Sequence, residues 1–156
     1  MDLAGKAYGV PAYQLAGGKF RDEVLCYCDT PTIANGSEMG KRLKNRMEMG
    51  FKFLKMDVGI GLLTDVPGTL SAPPNMIESR ETMHPFTGTQ ITPKGIDTLV
   101  QYVADVRDVI GYEIPLAVDH FGHIGVEASI RLGQALDPFT LAWLEDMITW
   151  KLTDQR

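Results

Sequence analysis

The chain of 156 residues holds two cysteines, Cys26 and Cys28. That is too few for a disulfide framework, and there is no second pair to complete a zinc site. They alternate along one strand face and are expected to be reduced residues in or near the core. No apolar run approaches the ~18 residues of a membrane span, and the start lacks a signal-peptide pattern. The expectation is a cytoplasmic protein with no membrane partner. Positive charge is also in short supply. The formal net charge is −5, and the 15 lysines and arginines are scattered, which excludes the footprint of a nucleic-acid binder. Their one cluster, KRLKNR at residues 41–46, falls on a predicted helix and reads as a solvated helix face. What remains is an ordinary globular composition, 44% apolar, in a length that suits about one domain.

The most informative stretch is 114–146, IPLAVDHFGHIGVEASIRLGQALDPFTLAWLED. An apolar strand at 115–118 ends on Asp119, and a second at 141–144 ends on Glu145. Between them, 125–136 carries a helical face through Val126, Ile130, Gly133 and Leu136. Twenty-six positions from Asp119 to Glu145 leave room for the helical crossover that parallel strands require. Both acids then stand at the carboxyl ends of adjacent parallel strands, where α/β barrels and sheets place their active sites. Either acid alone would be explained by a helix cap or a solvated strand end. Two facing each other read as a site for a hard divalent cation with oxygen ligands.

The rest of the chain repeats the alternation. A short helix is predicted over 2–9, and Gly17-Gly18 breaks the chain. A strand follows at 24–28, ending at Asp29. Ser37 is a plausible N-cap for a helix over 38–49 that buries Met39, Leu43 and Met47 and stops at Gly50. The strand 51–58 puts Lys55 and Asp57 on one face by its period of two. Residues 59–92 hold four of the nine prolines and no sustained periodicity. Irregular segments beyond ~15 residues are often lids or binding loops, and this one follows a strand's carboxyl end. His84 and Arg80 are its candidate functional groups, with a plain surface role open for each. Thr92 and Pro93 then start a helix whose stripe of Ile96, Leu99, Val100, Val103, Val106 and Ile110 ends at Gly111. Residues 150–156 form a polar tail. Four strands alternating with helices make a parallel α/β fold, four units or half of a (β/α)8 TIM-type barrel whose typical length is about 250 residues.

Four segments together carry a resemblance. DLAGKAYGVPAYQLAGGKFRDEV (2–24), GFKFLKMD (50–57), PLAVDHFGH (115–123) and LAWLED (141–146) occur in the order found in the enolase superfamily. More narrowly, they resemble the mandelate racemase/muconate lactonizing enzyme group. The resemblance implies that residues 1–23 are the end of a junction between a capping domain and the barrel. Residues 24–156 would then be the amino-terminal half of the barrel, with a long inserted loop at 59–92. It implies Mg²⁺ as cofactor, with Asp119 and Glu145 as two metal ligands and a third on a fifth strand beyond Arg156. It also implies that the cation holds a substrate carboxylate and stabilises the enediolate left when the α-proton is removed.

Departures from the group's pattern narrow the activity. The usual Lys-x-Lys on the second strand is here Lys55-Met56-Asp57, so Lys55 matches the carboxylate-binding position and the lysine base is replaced by Asp57. The usual Asp-x-Asn and Glu-Glu-Pro become Asp119-His120-Phe121 and Glu145-Asp146-Met147. The long insertion resembles that of acid-sugar dehydratases of the mannonate and gluconate type. His120 and His123 lie beside the metal strand; one could protonate a leaving hydroxyl, with His123 the candidate, and bonding to a loop backbone is the alternative for each. The expected whole is a sugar-acid dehydratase acting on a small-molecule carboxylate, in a homo-oligomer. The alternatives are a racemase or cycloisomerase of the same superfamily, or an inactive fragment that self-associates through its open edges. This chain alone is expected to show little or no turnover.

Overall fold

A computed structural model describes residues 1–71, 89–120, 122 and 124–148. The chain opens with two short helices, α1 (Asp2–Tyr8) and α2 (Ala12–Leu15). It then builds β1 (Cys28–Thr30), α3 (Gly36–Glu48) and β2 (Leu54–Asp57). A small antiparallel pair follows, β3 (Leu70–Ser71) with β4 (Gln90–Ile91). The chain closes with α4 (Pro93–Ile110), β5 (Leu116–Asp119), α5 (Val126–Leu136) and β6 (Leu144–Glu145).

Strands β1, β2, β5 and β6 form one sheet in that order, every pair parallel. The order never reverses, so each crossover repeats the last with the same hand and the crossover helices α3, α4 and α5 fall on one face. This is the winding of four successive units of a (β/α)8 barrel, not of a doubly wound sheet. Alternation then sorts the side chains. Leu54, Met56, Leu116 and Val118 face the helices and are at most 1% exposed, in one core with Met39 and Leu43 of α3, Leu99, Val103 and Val106 of α4, and Leu132 of α5. The opposite face carries Lys55, Asp57, Asp119 and Glu145.

Local chemistry explains the two long helices. Asn35 caps α3 by accepting the Glu38 amide at 3.0 Å, two positions before the expected Ser37; both are good caps, and the chain uses the earlier one. Thr92 caps α4 through the Gly95 amide at 3.1 Å, Pro93 fills the first turn, and Gly111 with φ of 67° ends it, as the sequence predicts. The two helices touch closely because Gly40 has no side chain: a Cβ there would lie 2.7 Å from Val109 Cβ.

Four expectations are corrected. The first strand covers Cys28–Thr30 and not 24–28, and Cys26 is exposed. The second and fourth strands are Leu54–Asp57 and Leu144–Glu145, shorter or later than expected, with single backbone bonds continuing beyond them, from Val58 N to Asp119 O and from Ala142 N to Leu116 O, each 2.8 Å. Helix α5 buries Ala128, Ser129, Leu132 and Leu136, while Ile130 is 53% exposed. That helix has two apolar stripes, and its contact with α4 selects the one through Leu132. Segment 59–92 contains a 3₁₀ turn at Ile60–Leu62 and the β3–β4 pair at its roots. His84 and Arg80 lie outside the described residues. No described helix is long and apolar enough to cross a membrane.

Candidate metal centre

Lateral register decides which side chains meet. Asp57 pairs with Asp119, and Asp119 pairs with Glu145, so three carboxylates stand in one row at the carboxyl ends of β2, β5 and β6. Lys55 sits one layer below on the same face, in register with Asp29 and Ala117. Its four-carbon stem lets the ammonium reach up to the row. The Nζ donates to Asp119 Oδ2 at 3.1 Å and to Glu145 Oε2 at 2.9 Å. The strand ends carrying these groups are tied together by backbone bonds, Val58 N to Asp119 O at 2.8 Å and His120 N to Glu145 O at 3.0 Å.

The electrostatics follow from that bridge. Burial of Lys55 disfavours its ammonium, but hydrogen bonds to Glu145 and Asp119 and their negative charges outweigh it, and the pKa stays well above the ordinary lysine value. Hydrogen bonds from Lys55 and from Trp143 hold the Glu145 carboxyl below the usual range; the Trp143 Nε1 donor lies 3.1 Å from Oε2. While it bridges the two acids, Lys55 is favoured in its ammonium form.

Asp57 behaves differently. Its Oδ2 accepts from Thr32 Oγ1 at 3.0 Å, yet burial, together with the charges of Asp29 and Asp119, pushes its pKa above the ordinary value. A carboxyl raised on folding costs stability while ionised, and the cost is relieved as pH falls through the raised value. Replacing Asp57 by asparagine, which can still accept from Thr32, is expected to raise the melting temperature at pH 7. The gap to wild type should narrow toward pH ~4, near the ordinary aspartate value. Melting curves across that range check this; an asparagine variant less stable at pH 7 contradicts it.

Below the acids lies a layer that the sequence reading did not single out. Phe53 stacks on Trp143 with centroids 4.9 Å apart, and Tyr27 meets Trp143 edge-on at 5.6 Å. Each precedes Asp29, Lys55 or Glu145 by two residues, so the strand period was the available signal. Tyr27 remains 46% and Trp143 37% exposed, which leaves this face of the sheet open.

Of the predicted site residues, Lys55, Asp119 and Glu145 are brought into direct contact. His123 lies outside the described residues. His120 is fully buried, and its Nδ1 is 2.7 Å from the Val58 carbonyl; a carbonyl can only accept, so that nitrogen carries the proton. The bond ties β5 to the end of β2, the backbone-anchoring alternative. Among the described residues no group of three or more histidine, cysteine, aspartate or glutamate side chains is placed to hold a metal ion. The two acids do suit one: they are hard oxygen donors, and their oxygens already converge on a single ammonium.

Comparison with known proteins agrees with this architecture. Residues 38–155 match the family model described as enolase C-terminal domain-like. A D-galactonate dehydratase family member, ManD, from Chromohalobacter salexigens is 30% identical over 150 residues, covering 94% of this chain and 36% of that protein. The crystal structure of a mandelate racemase/muconate lactonizing enzyme-like protein from Rubrobacter xylanophilus superimposes with a TM-score of 0.74 at 30% identity, over 99% of this chain and 39% of that one. An enolase from Pantoea ananatis, solved with bound D-gluconate and Mg, shares the fold with a TM-score of 0.69 at 22% identity, over 99% of this chain and 39% of its own. The chain thus spans little more than a third of the length of these relatives. Over that span, it belongs to the enolase C-terminal domain-like family of the enolase superfamily.

Proposed function

We propose that this chain supplies the cation-binding and carboxylate-neutralising part of a Mg²⁺-dependent enzyme that dehydrates a sugar acid. The observation that carries the reading is the in-register pairing of Asp119 with Glu145, whose oxygens converge on one cation position. The dehydratase name of the Chromohalobacter relative and the D-gluconate and Mg of the Pantoea enolase support it.

In this reading Asp119 and Glu145 hold Mg²⁺. Bound there, the ion supplies electrostatic stabilisation of the charge that develops when a proton leaves the carbon beside a carboxylate. Lys55, one layer below the ligands on the same face, neutralises the substrate carboxylate. His123 gives a proton to the departing hydroxyl, and segment 59–92 covers the substrate. Asp57 occupies the position where a racemase of the group would carry its lysine base, which favours the dehydratase over the racemase or cycloisomerase alternative. Residues 1–23 serve as the junction to a capping domain and 24–156 as the amino-terminal half of the barrel. In this reading the enzyme works as a homo-oligomer.

Calorimetric titration with Mg²⁺ tests the core of this reading. Asp119→Asn and Glu145→Gln are each expected to weaken binding by at least ~10-fold, since each removes one charged ligand from a site that has few. Unchanged affinity in either variant would remove that residue from the site.

A further inference from the structure

We propose that Lys55 is a built-in competitor for the cation site: its ammonium holds the Asp119–Glu145 pair until a divalent cation displaces it. This rests on the reading of those two carboxylates as metal ligands, and adds that the site is self-occupied and must be opened.

The geometry carries the argument. One ammonium lies 3.1 Å from Asp119 Oδ2 and 2.9 Å from Glu145 Oε2, so it uses oxygens from both strands at once. Lys55 and Asp119 are each 7% exposed, so water screens that contact poorly, while the Glu145 side chain is 38% exposed and its contact is screened more. A hard cation competes for the lone pairs of the same two carboxylates, and a divalent charge beside an ammonium is repelled, so the two weaken each other's hold on the site. The displaced side chain has somewhere to go. Its Nζ is already 5.6 Å from the centroid of the Tyr27 ring, whose face attracts a cation more weakly than two carboxylates do, and Tyr27 lies on the open side of the sheet. A flexible stem makes the move a change of rotamers without backbone motion.

The bridge also has a function in the metal-free chain. Two carboxylates side by side at the strand ends repel, and the ammonium compensates them. Once displaced, the same charge becomes available to an anion arriving on the open face. The order of events is then fixed: cation first, carboxylate second.

The test is titration of Mg²⁺ into the full chain by calorimetry, with thermal unfolding recorded with and without the ion. Lys55→Met, Lys55→Arg and Asp119→Asn are compared with wild type. Lys55→Met is expected to bind Mg²⁺ about 10-fold or more tightly than wild type, because a competing unit charge is gone. It should melt lower than wild type without the ion and gain more from adding it. Lys55→Arg keeps the charge in a fork that grips carboxylates more firmly, and should bind Mg²⁺ more weakly than wild type. Equal or weaker binding by Lys55→Met, with binding lost in Asp119→Asn, overturns the competition and leaves the metal site standing. Wild-type binding by Asp119→Asn, or no binding by any form, overturns the site itself and the proposal with it. Should Lys55→Met not fold, Lys55→Arg decides, and binding equal to or tighter than wild type overturns the proposal.

Discussion

Replacing Arg107 by alanine is expected to lower folding stability by about 3–5 kcal/mol, the range for breaking a buried charged hydrogen-bond network. Arg107 is on α4 and only 3% exposed. Its Nε and Nη2 donate to Phe139 O at 3.1 and 3.0 Å, Nη2 also to Thr140 O at 3.2 Å, and Nη1 to Gly111 O at 3.0 Å. Nη1 also lies 3.4 Å from Ile114 O, and Tyr112 covers the guanidinium with its ring centroid 4.6 Å away. One side chain thus satisfies the carbonyls that end α4, lead into β5 and lead toward β6. Those two strands carry Asp119 and Glu145, so the clamp sets the spacing of the candidate ligands from the far end of the sheet.

Alanine leaves these carbonyls without their donor in a place that water reaches poorly, and each buried acceptor so abandoned costs roughly 1–3 kcal/mol. Lysine restores a charge but not the planar fork that spans several acceptors, so Arg107→Lys should recover only part of the loss. Urea unfolding of the three proteins gives the comparison, and a loss below about 1 kcal/mol in the alanine variant would show that the clamp adds little.

How much of this could be read from the sequence depends on whether a feature is local or lateral. The bounds and caps of helix α4 were legible, because Thr92, Pro93, the apolar stripe and Gly111 all act within the helix itself. The acids at 119 and 145 were legible as strand ends, and the parallel sheet follows from their spacing. Lateral relations were not. Spacing placed Lys55 and Asp57 on one face, but only the register of β2 against β5 and β6 makes Lys55 reach Asp119 and Glu145. In α5 two apolar stripes compete, and the neighbour decides which is buried. Arg107 read as one more scattered basic residue. The signal was its position four residues after Val103 and three before Ile110, on the inward stripe, where a charged side chain needs buried partners.

Gly95→Val is expected to cost about 2–4 kcal/mol, combining overpacking with loss of a helix cap. A Cβ at Gly95 would lie 2.3 Å from the Thr69 carbonyl oxygen and 2.7 Å from Ile91 Cγ1. The oxygen cannot retreat cheaply, because it accepts the Thr92 amide at 2.9 Å. Thr92 in turn donates to Gly68 O at 2.7 Å and caps α4, while buried Thr69 lies 2.8 Å from Leu63 O through its hydroxyl. Pushing the two backbones apart therefore breaks the cap and frees both roots of the 59–92 segment together. Alanine at this position gains up to ~1 kcal/mol of helix propensity over glycine, less than the usual ~1–3 kcal/mol of overpacking, so Gly95→Ala should destabilise more mildly. Valine gains less propensity and adds bulk against Ile91. Urea unfolding should rank the variants wild type, alanine, valine, with faster amide exchange at Thr92 and Gly95 in the valine form. Equal stability of all three would mean that the roots of the segment are not anchored through this contact.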